Sequence, residues 1–204
     1  MAVLQDRHNR EVHPEWRTQG YAYYRAVWIE CAELLDHFGW KWWKRQDANL
    51  EQVRLEVVDI WHFGLSDLLR AGAVDEALAE RMRARSAPCA GGSPGERGGD
   101  LRAAVEALAL STLGRRAFDV DAFVDLMNIV PMSLDELHDA YIGKNVLNSF
   151  RQAHGYRDGS YVKTWGGRED NEHLSELAAK LDASLPSYPE DLKAALEARY
   201  AALT

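Results

Sequence analysis

Apolar residues recur along most of this chain at spacings of three and four, the period of one face of an α-helix, and the alternation of a half-buried strand is scarce. The predicted fold is all-α, a helical bundle carrying a Gly-rich surface loop. A first strong helix is predicted over 21–38, with Tyr24, Val27, Trp28, Cys31, Leu35 and Phe38 on one stripe and Gly39 as its stop. A second begins near Leu50, behind Asp47 and Asn49 as candidate N-caps, and runs to about Arg70. A shorter amphipathic helix over 75–85 leads into 86–100, where Pro88, Pro94 and five glycines predict a mobile surface loop. Further helices are expected over 101–114, 119–129, 134–154, 172–183 and 190–202. Ser133 with Glu136, and Ser187 with Glu190, fit the Ser-x-x-Glu capping box. No Asn-Gly or Asp-Gly turn joins two alternating runs, so no strand is predicted. Residues 1–204 are read as a single domain.

The pattern changes meaning where acids interrupt it. Glu30-x-x-Glu33 lies on the first helix and Glu56-x-x-Asp59 on the second, each pair spaced to share a face. Counted from the connecting loop, Glu33 and Glu56 lie about 7.5 and 9 Å deep at 1.5 Å per residue, so antiparallel helices bring the pairs level. Four facing carboxylates repel one another without a cation, and hard oxygen ligands suit Mg²⁺ or Mn²⁺. The second helix is apolar on nearly every side, which places Glu56 and Asp59 in an interior where an unpaired charge is costly. Ordinary ion pairing to Arg or Lys is the bland alternative. A di-iron carboxylate site would want Glu-x-x-His on two helices. Only an incomplete version is present, with His62 continuing the Glu56, Asp59 ladder and Asp135-x-x-His138 further on. His62 is read as a core or supporting histidine rather than a ligand.

Opposite in character is the helix from Leu134. Leu134, Leu137 and Tyr141 set an apolar face that then carries Lys144, Asn145, Asn148, Arg151 and Gln152, with Tyr156, Arg157, Tyr161, Lys163 and Arg168 following. Cations and amides that replace a core stripe in register suit a pocket wall contacting phosphate oxygens. The alternative is a helix emerging into solvent at Lys144. Acids and cations together describe a metal-bound polyphosphate. Neither a Gly-x-x-x-x-Gly-Lys-Ser/Thr loop nor a Gly-x-Ser-x-Gly elbow occurs.

Composition narrows the partners. Lys plus Arg total 24 against 32 for Asp plus Glu, a net charge of 24 − 32 = −8, which argues against a general grip on polymeric nucleic acid. With 47% hydrophobic and 27% charged residues the chain reads as globular, and no apolar run reaches a bilayer-spanning length, so no membrane partner and a cytoplasmic location are expected. Cys31 and Cys89 form neither a CxxC pair nor a disulfide framework.

Several segments taken together resemble the dimeric dUTPases of the all-α NTP pyrophosphatase superfamily. They are Leu4-Gln5-x-x-x-Asn9, Glu30-Cys-Ala-Glu33-Leu-Leu-Asp, Trp40-Lys-Trp-Trp-Lys44, Glu56-Val-Val-Asp59-Ile-Trp-His62-Phe, Lys144-Asn-Val-Leu-Asn148-x-Phe-Arg151-Gln, and Gly155-Tyr156 through Glu169-Asp-Asn171. The likeness covers 4–68 and 141–171. It departs at Arg157, where lysine is commoner, and in the Gly-rich loop. The resemblance implies hydrolysis of dUTP, and of dUDP, to dUMP, with Mg²⁺ (Mn²⁺ as substitute) held by Glu30, Glu33, Glu56 and Asp59. It maps a uracil pocket onto Gln5, Asn9 and Trp43, with His62 near the substrate. Sugar and phosphate contacts map onto Lys144, Asn148, Arg151, Tyr156 and Lys163. Glu33, with Glu30 as second candidate, is read as the base for the attacking water. A homodimer is implied, with weak support from the 7 tryptophans. Competing readings are a house-cleaning pyrophosphatase for another nucleotide and a non-catalytic nucleotide sensor. Gln5 and Asn9, without the resemblance, read as a frayed polar N-terminus.

Overall fold

The computed structural model describes residues 1–86 and 100–203. Apart from its end residues Ser86 and Asp100, the expected Gly-rich loop lies outside the described residues, as does Cys89. The chain divides into two compact units, Met1–Leu137 and His138–Thr204.

In the first unit the order is α1 (Ala2–Val12), a 3₁₀ turn (Trp16–Thr18), α2 (Tyr23–Phe38), α3 (Leu50–Ala71), α4 (Glu76–Arg85), α5 (Leu101–Arg115), α6 (Val120–Ile129) and the first turn of α7 (Leu134–Ala153). The all-α expectation holds, and side-chain caps explain the starts of α3 to α7. Asn49, Asp75, Asp100 and Asp119 each accept a backbone N–H at the start of α3, α4, α5 and α6. At the far end of α3, Gly72 takes the left-handed conformation that stops it. The box predicted at the start of α7 forms, with Glu136 N donating to Ser133 Oγ at 3.1 Å and Ser133 N to Glu136 Oε2 at 2.7 Å.

The central element is α3, whose Val53, Val57, Val58, Ile60 and Leu65 are almost wholly buried. Each such side chain contributes roughly 1.5–3 kcal/mol by leaving water. Packed most closely along α3 is α2, with α5 against α2 and α1 against α3. The buried line on α2 is Val27, Cys31 and Leu34, while Trp28 is exposed. This corrects the predicted stripe: positions 27, 31 and 34 follow the i, i+4, i+7 line, and Trp28 lies about 100° round the helix from Val27. Burial pushes the Cys31 thiol up to about 12, with Glu30 adding to it, so it behaves as a small apolar core group. Gly64 permits a close crossing, since a Cβ there would stand 2.6 Å from the Phe118 ring.

The second unit holds the rest of α7, strands β1 (Thr164–Trp165) and β2 (Arg168–Glu169), and helices α8 (Asp170–Ala178) and α9 (Tyr188–Leu203). Its core joins Leu147, Phe150, Trp165, Leu174, Leu177, Tyr188, Leu192 and Leu196. The hairpin corrects the expectation of no strand. Gly166 and Gly167 both take positive φ between the paired Trp165 and Arg168, so Gly-Gly supplies the two-residue turn that Asn-Gly would otherwise mark. Two further corrections concern helix starts. The 172–183 helix is displaced to Asp170–Ala178 because Glu169 and Glu172 form a capping box there. In place of a Ser187–Glu190 box, Ser187 Oγ donates to Asp191 Oδ2 at 2.9 Å.

Candidate functional site

The two carboxylate pairs occupy facing stretches of α2 and α3. One carboxylate oxygen each from Glu30, Glu33 and Glu56 lies within 4.8 Å of the others. Glu56 is buried, Glu30 and Asp59 are half-buried, and Glu33 is exposed. Burial pushes the Glu30 carboxyl up to about 9, and Asp59, Glu56 and Glu33 all add to the shift, Glu56 also through a hydrogen bond. Glu30 therefore keeps a proton at neutral pH in the bare protein, and a cation would take over the proton's task of holding the acids together. Three oxygen donors this close, without a soft ligand among them, fit a hard divalent ion. His37, which the sequence reading missed, places Nε2 3.4 Å from Glu56 Oε1. Its signal was available, for His37 lies four residues beyond Glu33 and extends the ladder 30, 33, 37 along α2.

Gln5 and Asn9 lie one turn apart on α1, where the exposures of 3% and 7% replace the frayed-terminus alternative with a buried polar site. Gln5 Nε2 donates to Asn9 Oδ1 at 3.1 Å, and Asn9 Nδ2 donates to Ser66 Oγ at 3.0 Å. Gln5 Oε1 lies 2.9 Å from His62 Nδ1, and Ser66 Oγ donates to the His62 carbonyl at 2.9 Å. Ser66 is a second residue that sequence reasoning missed, one turn past His62 on the same face of α3. Trp43 is not brought into this network: it sits on the connection between α2 and α3, 58% exposed, edge-to-face with Trp40 and Trp42.

In the second unit the cations singled out in the sequence gather around an acid, Asp170, and its neighbour Asn171. Lys144, almost fully buried, donates from Nζ to Asn171 Oδ1 at 2.9 Å, so the helix does not emerge into solvent there. Arg151 grips Asp170 with two bonds of 2.8 Å and reaches Asn148 Oδ1 at 3.2 Å. Tyr161 Oη donates to Asp170 Oδ2 at 2.8 Å, and the Arg151 guanidinium lies 5.8 Å from the centre of the Tyr156 ring. Burial alone would raise the Asp170 carboxyl, but the Arg151 fork and the Tyr161 hydroxyl outweigh it and hold it below the usual carboxylate range. Burial and the Asp170 charge in turn push Tyr161 up. Lys163, half exposed, pairs with Glu169 at 3.2 Å. Asp170 and Asn171 were legible as a motif, yet their pairing role was not.

A family model described as dUTPase matches residues 1–156. The chain belongs to the dimeric, all-α dUTPase family. It is accordingly an enzyme, a dUTP diphosphatase, of a family that acts on a nucleotide with the help of a divalent metal. No curated protein matches it. Within this dUTPase the matched stretch takes in the acids of α2 and α3, the carboxamides of α1 and the cations of α7 through Arg151, as well as Tyr156. Lys163, Asp170 and Asn171 lie beyond it. Among the described residues no helix is long and apolar enough to cross a membrane.

Proposed function

We propose that this enzyme hydrolyses dUTP to dUMP and pyrophosphate, and dUDP to dUMP and phosphate, with Mg²⁺ as its metal and Mn²⁺ as a substitute. The observation that carries the reading is the set of three carboxylate oxygens within 4.8 Å, in a chain matched to the dUTPase family over 1–156. Glu30, Glu33, Glu56 and Asp59 would hold the metal, which supplies charge neutralisation for the polyphosphate. Glu33, the exposed member of the set, takes the proton of the attacking water at its carboxylate, and the α-phosphorus is the centre attacked. Gln5 and Asn9 read the uracil edge beside His62, and the Trp43 indole offers an apolar face to the base. Lys144, Asn148, Arg151, Tyr156 and Lys163 take the sugar and phosphate contacts. Residues 1–204 work as one catalytic domain, in the cytoplasm. Exposed apolar positions on neighbouring helices, Trp28 and Ile29 on α2 and Leu110 and Leu113 on α5, support a homodimer, to be checked by sedimentation.

The deciding experiment is product release from dUTP, dCTP, dTTP and the ribonucleotides with Mg²⁺. Strong preference for dUTP is expected, because cytosine reverses the donor and acceptor positions that uracil presents. Equal rates on dUTP and dCTP would replace this reading with a broader house-cleaning pyrophosphatase, and nucleotide binding without turnover would replace it with a sensor.

A further inference from the structure

A carboxamide oxygen and nitrogen have nearly the same size, so packing cannot decide which way Gln5 and Asn9 face. If they read uracil, orientation is nevertheless everything, for turning both amides over converts a uracil-reading edge into a cytosine-reading one. The structure offers a device that settles it. Hydrogen bonds link His62 Nδ1 with Gln5 Oε1, Gln5 with Asn9, Asn9 with Ser66, and Ser66 with the His62 carbonyl, closing a ring.

The direction of this ring follows from Ser66, which has one proton to give. Its Oγ lies 2.9 Å from the His62 carbonyl and 3.4 Å from Asn9 Oδ1. The helix carbonyl has a second lone pair and takes the proton. Toward Asn9 the hydroxyl is then an acceptor, so Asn9 must present Nδ2 to it and Oδ1 to Gln5. Gln5 must in turn present Nε2 to Asn9 and Oε1 to His62, and His62 must carry its proton on Nδ1. In this sense of circulation four bonds form. In the reverse sense Ser66 turns its proton to Asn9 Oδ1, the bond to the helix carbonyl is lost, and three remain. One buried hydrogen bond favours the forward sense by about tenfold. Without the hydroxyl, each sense keeps two bonds within the ring, and the part of the preference that Ser66 supplies is lost.

We infer that Ser66 is a positioning residue for base selectivity, a one-proton lock that fixes the facing of the Gln5 and Asn9 carboxamides and the tautomer of His62. This rests on the uracil-reading role proposed for those carboxamides. Ser66 itself touches no reacting atom in the scheme.

The test compares the wild-type enzyme with Ser66→Ala and Ser66→Thr, the latter keeping a hydroxyl that can bond the carbonyl one turn back. Two readouts are taken: the ratio of kcat/KM for dUTP over dCTP, and the ring-nitrogen resonances of His62 in ¹⁵N-histidine-labelled protein, assigned by their loss in His62→Gln. Ser66→Ala is expected to lower the ratio about tenfold, mainly through KM, and to turn a single Nδ1–H tautomer into a mixture. Ser66→Thr is expected to restore both. If the added methyl of threonine disturbs folding, the tautomer in Ser66→Ala decides alone. A wild-type preference for dUTP that Ser66→Ala leaves intact, with an unchanged tautomer, overturns the lock while sparing the uracil reading. Equal wild-type rates on dUTP and dCTP overturn the uracil reading, and the lock's part in selectivity with it.

Discussion

The acids of α2 and α3 and the cations of the second unit are both charge clusters built around a buried carboxylate, Glu56 in one and Asp170 in the other, yet they are stabilised in opposite ways. Around Arg151 the protein completes its own circuit: Asp170 takes the guanidinium with two bonds, Tyr161 adds a third, and together they hold the Asp170 carboxyl below the usual carboxylate range. Around Glu30 the neighbours are acids, and the group answers by holding a proton up to about 9. One cluster is finished within the chain, its buried acid met by a guanidinium and a hydroxyl. The other gathers like charges in the bare protein, and a ligand of opposite charge would ease it, as in the trade of stability for function common at working sites.

The comparison predicts opposite signs for similar edits. Glu56→Gln removes a charge from the strained cluster. Turnover on dUTP should fall by on the order of a thousandfold or more, since a metal-holding oxygen anion is lost. The metal-free variant should nevertheless melt at or above the temperature of the wild type. A lower melting temperature without metal would mean that Glu56 is a structural ion-pair partner, not part of a site held under strain. Exhaustive chelation of the wild type should reproduce the loss of turnover, with Mg²⁺ or Mn²⁺ restoring it.

Asp170→Ala is the matching edit in the finished cluster. It strands Arg151, 11% exposed at its side chain, without its bidentate partner, and should cost about 3–5 kcal/mol of stability in chemical denaturation. A loss below about 1 kcal/mol would place the Arg151–Asp170 pair with ordinary surface salt bridges and erase the distinction between the two regions.

How much of this was legible in the sequence differs between the regions for a physical reason. The acid cluster depends on helical period alone: spacings of three along two helices, counted from one turn, put Glu30, Glu33 and Glu56 together, and the structure has their oxygens within 4.8 Å. The cation cluster depends on a chain reversal. Asp170 reaches Arg151 across the hairpin at Gly166-Gly167 and a capping box at Glu169, neither of which periodicity announces. Likewise α1 was not predicted, because its buried face consists of Gln5 and Asn9, so no apolar stripe exists to find. Ser66 and His37 lay on ladders already recognised and were missed because the counting stopped one turn early. Trp43, mapped to the base only by resemblance, packs instead against Trp40 and Trp42 on the exposed connection between α2 and α3, a placement that no periodicity announces.

Roles within the acid cluster are separated by a smaller edit. Glu33 is the exposed member, open to water, whereas Glu56 is enclosed. Glu33→Gln should lower kcat about a hundredfold while leaving KM for dUTP within a few fold, as expected for a lost general base. If KM rises in parallel with the fall in kcat, Glu33 acts in holding substrate and metal, and Glu30 becomes the next candidate for the base.

The smallest effect is the most direct reading of the strain itself. A Glu side chain in an unfolded chain titrates near 4.3, roughly, and in the fold Glu30 does so at about 9. Between these values the folded protein holds a proton that the unfolded chain has released, so this group's stabilisation is complete below the lower value and is lost as pH rises through the upper one. The metal-free melting temperature should therefore decline from pH 5.5 to 8.5 more steeply in the wild type than in Glu30→Gln, which has no proton to lose. Metal binding requires the ionised carboxylate, so Mg²⁺ should bind more tightly as pH rises, by up to about tenfold per unit for one displaced proton. Thermal shifts with and without Mg²⁺ across that range check both slopes. A gap between wild type and Glu30→Gln that stays constant with pH would show that the acids of α2 and α3 are not sharing a proton, and the two clusters would then differ in sign but not in strain.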